Sequence, residues 1–183
     1  MNSQAAAASG DVYALQTQFE KSPEGCPPSL AHNVALLNQA QNHYAEAERL
    51  YKLCLKLRKA DRPDDDTLNL LNWHKLAEVY FAQGKVKEAN ELCTEVLARR
   101  LRVLGANSAD TAASMELMGR IEEAQGNKDA MGRHYISALN IYISQLGSDA
   151  PATQKLLHAL FGDSSRWLKR TNVGCHFGKA YSR

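Results

Sequence analysis

The sequence has little that would mark it as a membrane protein, a secreted protein or a nucleotide-dependent enzyme. No apolar run approaches the roughly 20 residues of a membrane-spanning helix. The first residues, MNSQAAAASGD, contain neither a basic start nor a continuous apolar stretch, so we expect no secretory signal. A glycine-rich phosphate loop is absent as well, and nucleotide use is therefore not indicated.

The cysteines show no sign of a disulfide framework. The sequence has four of them, widely spaced and without a CxxC pair. Cys54 and Cys93 fall inside apolar stripes, which favours buried thiols. This usage predicts a reducing compartment, and the cytoplasm or a cytoskeletal assembly is the expected location. The formal net charge of +2 does not mark the whole chain as a nucleic-acid binder.

Helical periodicity, by contrast, is abundant. Between Thr67 and Gly105, apolar residues recur at three- and four-residue spacing on either side of Gly84. This spacing predicts two amphipathic helices joined by a tight turn. A single hairpin of this kind leaves apolar surface uncovered, so it needs a neighbouring hairpin to complete its core.

A shift of the same stretch by 42 residues brings similar residues into register. Gly84 falls on Gly126, and Leu97 falls on Leu55 and Leu139. A fixed period is the signature of a repeat array. The prediction is an all-α, right-handed α-solenoid with terminal capping helices, built from three 42-residue helical hairpins at residues 29–60, 66–105 and 108–147.

The flanking segments are expected to close the array. Residues 1–27 are predicted to be a tail with one short capping helix, which begins at Asp11. The repeat domain is predicted to span residues 28–161 and to end in a cap at 151–161, where a fourth repeat begins and then loses its pattern. Residues 162–183 are predicted to be a basic tail, because they contain five Lys or Arg residues and one Asp.

Residues at helix entries indicate where the hairpins begin. Pro28-Ser29 offers a proline for a first turn and a serine as cap. The aspartates at 64–66 suit the positive end of the next helix, since their spacing does not fit a calcium-binding EF-hand. Ser108 or Asp110 is expected to cap the third hairpin.

Two glycines lie inside predicted helices of the third hairpin. Gly119 stands at the position of Ala77 in the preceding repeat, where two helices can approach closely. Gly132 has no such explanation, so we expect it to lower local stability.

The repeats resemble tetratricopeptide repeats, specifically the long variety of kinesin light chain and nephrocystin-like proteins. The resemblance is carried by W-x-x-L-A-x-x-Y at 73–80, Q-G-K-x-x-E-A at 83–89 and V-L-G-A-N-S-A-D at 103–110. Ordinary members of the superfamily have a period of about 34 residues, so the longer spacing favours this subtype. The resemblance implies stacked hairpins whose first helices line a concave groove that holds peptides.

In this register the groove mixes apolar, polar and charged side chains, which suits an extended peptide or a partner helix. The alternative is that the protein's own tail fills the groove. The predicted partner-binding residues are His32, Leu36, Gln39, Leu71, His74, Lys75, Glu78, Phe81, Glu116, Arg120 and Glu123.

The basic tail supports a second hypothesis. Its cationic and aromatic side chains could contact RNA or an acidic filament surface through charge and stacking. The alternative is a solvated tail without a partner. The candidate residues are Arg166, Trp167, Lys169, Arg170 and Lys179.

The predicted function is a non-catalytic protein–protein interaction scaffold or adaptor in a larger assembly, without cofactor, metal or small-molecule substrate. An RNA- or polyanion-binding subunit of a ribonucleoprotein is the alternative.

A metal site at His74 and Glu78 is not indicated, although the two residues share one helix face. Zinc needs three or four ligands, and the sequence shows no partner motif for this pair.

Overall fold

The computed structural model describes residue 17, residues 27–59 and residues 66–161. The predicted basic tail and nearly all of the predicted N-terminal capping helix lie outside these residues. Within them the fold is all-α, and no strand occurs. The helices are α1 (Pro28–Ala40), α2 (Tyr44–Lys59), α3 (Thr67–Ala82), α4 (Val86–Val103), α5 (Ala109–Ala124), α6 (Lys128–Leu146) and α7 (Pro151–Phe161).

Each helix packs against the next along the chain, and α3 also contacts α5. The helices therefore form a repeat solenoid of three hairpins, α1–α2, α3–α4 and α5–α6, followed by α7. This arrangement confirms the predicted fold class.

The turn inside each hairpin is made by a residue with a left-handed backbone. Asn42, Gly84 and Gly126 have φ values of 62°, 76° and 79°, and they are spaced 42 residues apart. Glycine and asparagine adopt this conformation at least cost, because other side chains clash with the backbone there. The sequence predicts Asn42-His43 in the turn where the next two repeats carry glycine, and Asn42 indeed takes the backbone conformation of those glycines.

The turns between hairpins repeat as well. Gly105 and Gly147 have φ values of 82° and 89°. Thr111 Oγ1 donates to the carbonyl of Gly105 at 2.9 Å, and Thr153 Oγ1 donates to that of Gly147 at 2.8 Å. Both threonines are fully buried. The same threonine-to-carbonyl bond thus ties the first turn of α5 and of α7 to the end of the preceding hairpin.

Two of the three predicted helix entries carry the expected cap. Asp66 accepts from the backbone N–H of Leu68 at 3.0 Å, and Ser108 accepts from that of Asp110 at 3.3 Å. The predicted serine cap at residue 29 is wrong, because Pro27 occupies the cap position of α1 without a side-chain bond. Pro28 is the first residue of α1, so the helix begins before Ser29, since the fixed φ of proline suits the first turn.

The hydrophobic core has three clusters, and each combines one hairpin with the first helix of the next. The first cluster joins α1, α2 and α3, the second joins α3, α4 and α5, and the third joins α5, α6 and α7. Helix α7 contributes Leu156 and Leu157, which are 1% and 7% exposed. Cys54 and Cys93 are buried thiols within the first two clusters, as predicted.

Candidate functional site

The first helices α1, α3 and α5 are joined through side chains. On α1, His32 Nδ1 lies 2.7 Å from Asn72 Oδ1 of α3, and Gln39 Nε2 donates to Glu78 Oε2 at 3.0 Å. On α5, the Arg120 guanidinium lies 4.9 Å from the centre of the Phe81 ring. We refer to the predicted groove residues on these helices, apart from the buried His74, as the first-helix surface.

Glu78 is the centre of a polar network on this surface. Its Oε1 lies 3.2 Å from His74 Nε2, and its Oε2 accepts from Lys75 Nζ at 2.9 Å and from Gln39. Gln39 Oε1 in turn accepts from Tyr51 Oη at 2.9 Å. Burial alone would raise the pKa of Glu78, but hydrogen bonds from His74 and Lys75 hold it well below its usual range. Glu78 is therefore a carboxylate at neutral pH.

His74 links this network to the next repeat. Its Nδ1 lies 3.5 Å from Ser114 Oγ, which accepts from Arg100 Nη1 at 2.9 Å. A carboxylate only accepts, so His74 Nε2 carries the proton that bonds Glu78, and Nδ1 accepts from the Ser114 hydroxyl. Burial lowers the pKa of His74, and Glu78 offsets part of that effect. The imidazole is therefore neutral at pH 7.

The placement of His74 corrects one prediction. The side chain is only 3% exposed, and both ring nitrogens are engaged between α3 and α5. It lies beneath the first-helix surface and does not line it. The repeat register assigned it to the correct helix face, but the short Ser114 side chain lets α5 cover it.

We expect the buried histidine to make stability fall as the pH is lowered. The unfolded chain protonates His74 near the ordinary pKa of about 6.5, whereas the folded chain does so only at a lower pH. The stabilisation is therefore complete above pH 6.5 and is lost as the pH falls towards the folded pKa. Urea unfolding between pH 8 and pH 5.5 should show a smaller slope for His74→Gln than for the wild type.

The control for this experiment is His43→Gln, which also removes one histidine. His43 is exposed in the turn of the first hairpin. The slope of His43→Gln should match that of the wild type. If both variants reduce the slope equally, the buried His74 is not its source.

The other end of the surface is tied to α7. Glu116 Oε1 accepts from Lys155 Nζ at 2.7 Å, and Glu116 Oε2 accepts from Tyr142 Oη at 3.2 Å. Burial, followed by the charge and hydrogen bond of Glu116, raises the pKa of Tyr142 well above its usual range. The Tyr142 phenol is thus a donor throughout the neutral range, and it anchors the carboxylate.

A tyrosine anchors the surface in the first and third hairpins but not in the second. Tyr51 Oη donates to Gln39, and Tyr135 Oη donates to Glu123 Oε2 at 3.0 Å. Both pairs occupy the same two repeat positions, since Glu123 and Tyr135 follow Gln39 and Tyr51 by two 42-residue periods. In the second hairpin these positions hold Phe81 and a cysteine, Cys93. At this repeat position the middle hairpin is therefore apolar, whereas the first and third hairpins carry a tyrosine-anchored polar pair.

The side chains left for a ligand are those without several hydrogen bonds of their own. Glu78 and Glu116 already accept from several donors, whereas Leu71, Phe81 and Arg120 are half-buried at the surface. Leu36 is partly buried against the first core cluster. Leu71 and Phe81 are ten residues apart on α3, about 15 Å along its axis, so they suit two separate apolar side chains of a partner. The positive charge of Arg120 lies beside Phe81.

The sequence analysis missed the residues that hold this surface from below. Asn72 and Ser114 share one repeat position and bond the histidines His32 and His74, which share another. The 42-residue register could have identified this repeated pairing. Lys155 could have been found in the same way, because it extends the surface to α7.

The remaining predicted residues, in the tail from Arg166 to Lys179, lie outside the described residues. In the described ranges, no group of three or more His, Cys, Asp or Glu side chains is placed to hold a metal. None of the helices in those ranges is both long enough and apolar enough to cross a bilayer.

Two tetratricopeptide repeat family models match the chain, one over residues 29–60 and the other over residues 66–130. Together they cover more than half of the sequence. The chain therefore belongs to the tetratricopeptide repeat family, as the sequence motifs indicated.

Solved structures show the same fold. BtubC (BKLC) from P. vanneervenii matches with a TM-score of 0.64 at 20% identity, over 85% of this chain and 62% of BtubC. The chain thus spans less than two thirds of that protein. Two structures of kinesin light chain-type, nearly identical TPR-like repeats from Podosopora anserina match with TM-scores of 0.67 and 0.65 at 21% and 22% identity. In each case the match covers 87% of this chain and 78% of the other.

A search of characterised proteins finds no match to the chain. The structural matches establish a kinesin light chain-like repeat fold, which confirms the predicted subtype at the level of the fold.

Proposed function

We propose that the chain is a protein–protein interaction scaffold in a larger assembly, and that its first-helix surface binds a peptide or helix of a partner. On this proposal it acts by binding and not by catalysis. The supporting observation is the pair of half-buried apolar side chains Leu71 and Phe81, which lie on either side of the Lys75–Glu78 contact on α3, with Arg120 stacked on Phe81. This mixture suits a partner segment with one or two apolar side chains flanked by polar groups.

The hydrogen bonds beneath the surface favour this use. The Glu78 network and the Glu116 contacts to Tyr142 and Lys155 fix the helices relative to one another before any partner arrives. A surface that is ordered in advance loses less entropy on binding. The same network also reduces the number of unpaired charges, so apolar contact is the expected main contribution to affinity.

The test is capture of partners from the native extract, with proteins and RNA both identified at two salt concentrations. Leu71→Asp should weaken retention of the specific proteins by at least about tenfold, because a lost apolar contact of about 1.5 kcal/mol or more corresponds to that factor. The matched control is Leu101→Asp, since Leu101 is 40% exposed on α4, a second helix. Equal loss with both variants would contradict binding at the first-helix surface.

The same experiment decides the polyanion alternative, which rests on the positive charge of residues 162–183. Contacts to phosphates weaken steeply with salt, whereas packed apolar contacts persist. Retention dominated by RNA, lost at high salt and unaffected by Leu71→Asp, would favour the tail as the binding element. Specific proteins that survive high salt would favour the first-helix surface.

A further inference from the structure

A second groove lies on the face of α3 that points away from the first-helix surface, between the second helices α2 and α4. Its floor is Trp73, Leu76 and Tyr80, which recur at helical spacing on one side of α3. Its walls include Leu55 of α2 and Leu92 of α4, and the cavity has a volume of about 450 Å³. We call this cavity the second-helix groove.

One edge of this groove is strongly acidic. Glu88, Glu91 and Glu95 line it from α4, and all three are exposed. On the opposite side Lys52 Nζ and Lys85 Nζ share the Glu48 carboxylate, at 2.6 and 2.8 Å, so this side keeps a positive charge. The two ammonium groups lie 5.5 and 5.4 Å from the centre of the Tyr80 ring. We refer to the three glutamates as the acidic rim.

The acidic rim is not a general property of the repeat. At the corresponding positions, 42 residues later, α6 carries Ala130, Arg133 and Ser137. Helix α4 itself accounts for part of this charge, because Glu88 lies in its first turn and Glu95 pairs with Arg99 four residues later. An apolar floor beside acidic side chains is also complementary to a basic segment with a bulky apolar side chain.

The chain contains a segment with this chemistry. Residues 166–170 read RWLKR, so Trp167 and Leu168 stand between Arg166 on one side and Lys169-Arg170 on the other. The three positive charges of this segment are opposite in sign to the acidic rim, in which Glu95 also pairs with Arg99, and its two large apolar side chains match the apolar floor. The covalent link to the same chain raises the local concentration of this segment.

The chain is also long enough to make the contact. Phe161, at the end of α7, occupies the repeat position of Ala77 in α3, next to the groove floor. Along the packed helices, α7 is three steps from α3, through α6 and α5, which amounts to about 24–30 Å. The eight residues from Phe161 to Lys169 span up to about 27 Å when extended, which is comparable to that distance.

We propose that residues 166–170 dock intramolecularly in the second-helix groove. Trp167 and Leu168 pack on the floor of Trp73 and Leu76, and the three basic side chains face the acidic rim. The docking site is separate from the partner-binding surface, so a variant can lose tail docking without losing partner binding, and the reverse. A soluble polyanion competes with the acidic rim for the same basic side chains.

Zero-length carbodiimide cross-linking of the full chain, followed by peptide mapping, tests this proposal. We expect Lys169 to be joined to Glu88, Glu91 or Glu95. A mixture of ¹⁵N-labelled and unlabelled chains distinguishes links within one chain from links between two. Three outcomes would each overturn the proposal. They are links from Lys169 mainly to carboxylates of the first-helix surface, links from Lys169 only to other chains, and no link from Lys169 at all.

A charge-reversal variant provides an independent readout by NMR. In Glu88→Lys/Glu91→Lys, the Trp167 indole N–H signal should move to the position that it has in urea, because the basic segment is repelled. The control Glu122→Lys/Asp129→Lys changes the net charge equally, on α5 and α6, and should leave the signal in place. A Trp167 signal at the urea position already in the wild type contradicts docking.

Discussion

Replacement of Arg100 by alanine is expected to lower the free energy of unfolding by about 3 kcal/mol. Arg100 is 1% exposed, and its Nη1 donates to the Asp110 carbonyl at 2.5 Å and to Ser114 Oγ at 2.9 Å. Its removal leaves both acceptors without this donor and opens a cavity between α4 and α5. Ser114 also bonds His74, so the effect should extend to the Glu78 network.

Two variants separate the causes of this loss in urea-unfolding measurements. Arg100→Met keeps most of the apolar stem and introduces no charge, so we expect a smaller loss of about 1 kcal/mol. Arg99→Ala removes the neighbouring arginine, whose contact to Glu95 is a surface ion pair contributing about 0–1 kcal/mol. A loss at Arg100→Ala no larger than that at Arg99→Ala would show that Arg100 does not hold the second and third hairpins together.

Gly119→Ala is expected to cost about 2 kcal/mol despite the better helix propensity of alanine. A Cβ atom at this position would meet the ring of Tyr135 at 2.4 Å, far inside van der Waals contact. Tyr135 is itself buried, and its hydroxyl is held by Glu123. The ring cannot move away without loss of that bond, so α5 and α6 must separate.

A glycine-to-alanine substitution on the facing helix α6 should change the free energy of unfolding in the opposite direction. Around Gly132 of α6 no atom lies within 4 Å of the added Cβ. Gly132→Ala should therefore raise the free energy of unfolding by about 0.5–1 kcal/mol through helix propensity alone. Thermal unfolding of the two variants compares them directly. Destabilisation by both, or by neither, would contradict the close approach of α5 and α6 at Gly119.

The architecture could be predicted because the relevant signals are local and repeated. The apolar spacing on either side of Gly84 indicated two helices, and the match of Gly84 with Gly126 indicated the 42-residue repeat. The close approach at Gly119 followed in the same way, since a glycine replaced Ala77 at one repeat position. Turns depend on the backbone sterics of single residues, and helix packing depends on the apolar side chains of one helix face. Both can be identified in a single sequence.

Burial of individual side chains was harder to predict, because it depends on the volumes of neighbours from other repeats. His32, His74 and Glu116 share one repeat position, yet only His74 is buried. The reason lies in Ser114 and Arg100, which come from two other helices. The register identifies the face on which a side chain lies but not the space around it.

The second-helix groove was missed for a related reason. Trp73, Leu76 and Tyr80 form an apolar stripe, which the sequence analysis assigned to a helix contact. In the structure Leu76 is 3% exposed, whereas Trp73 and Tyr80 are only partly buried. The side chains of α2 and α4 do not fill the space above them. The apolar periodicity of a sequence does not show whether neighbouring side chains are large enough to fill such a space.

Site-specific photo-cross-linking in the native extract tests the central claim most directly. A benzoylphenylalanine at position 71 places the reactive group on the first-helix surface, and one at position 101 places it on α4. The account predicts that a defined partner protein is captured from position 71 and not from position 101. Capture from position 101 alone, or no protein capture from position 71, would contradict it.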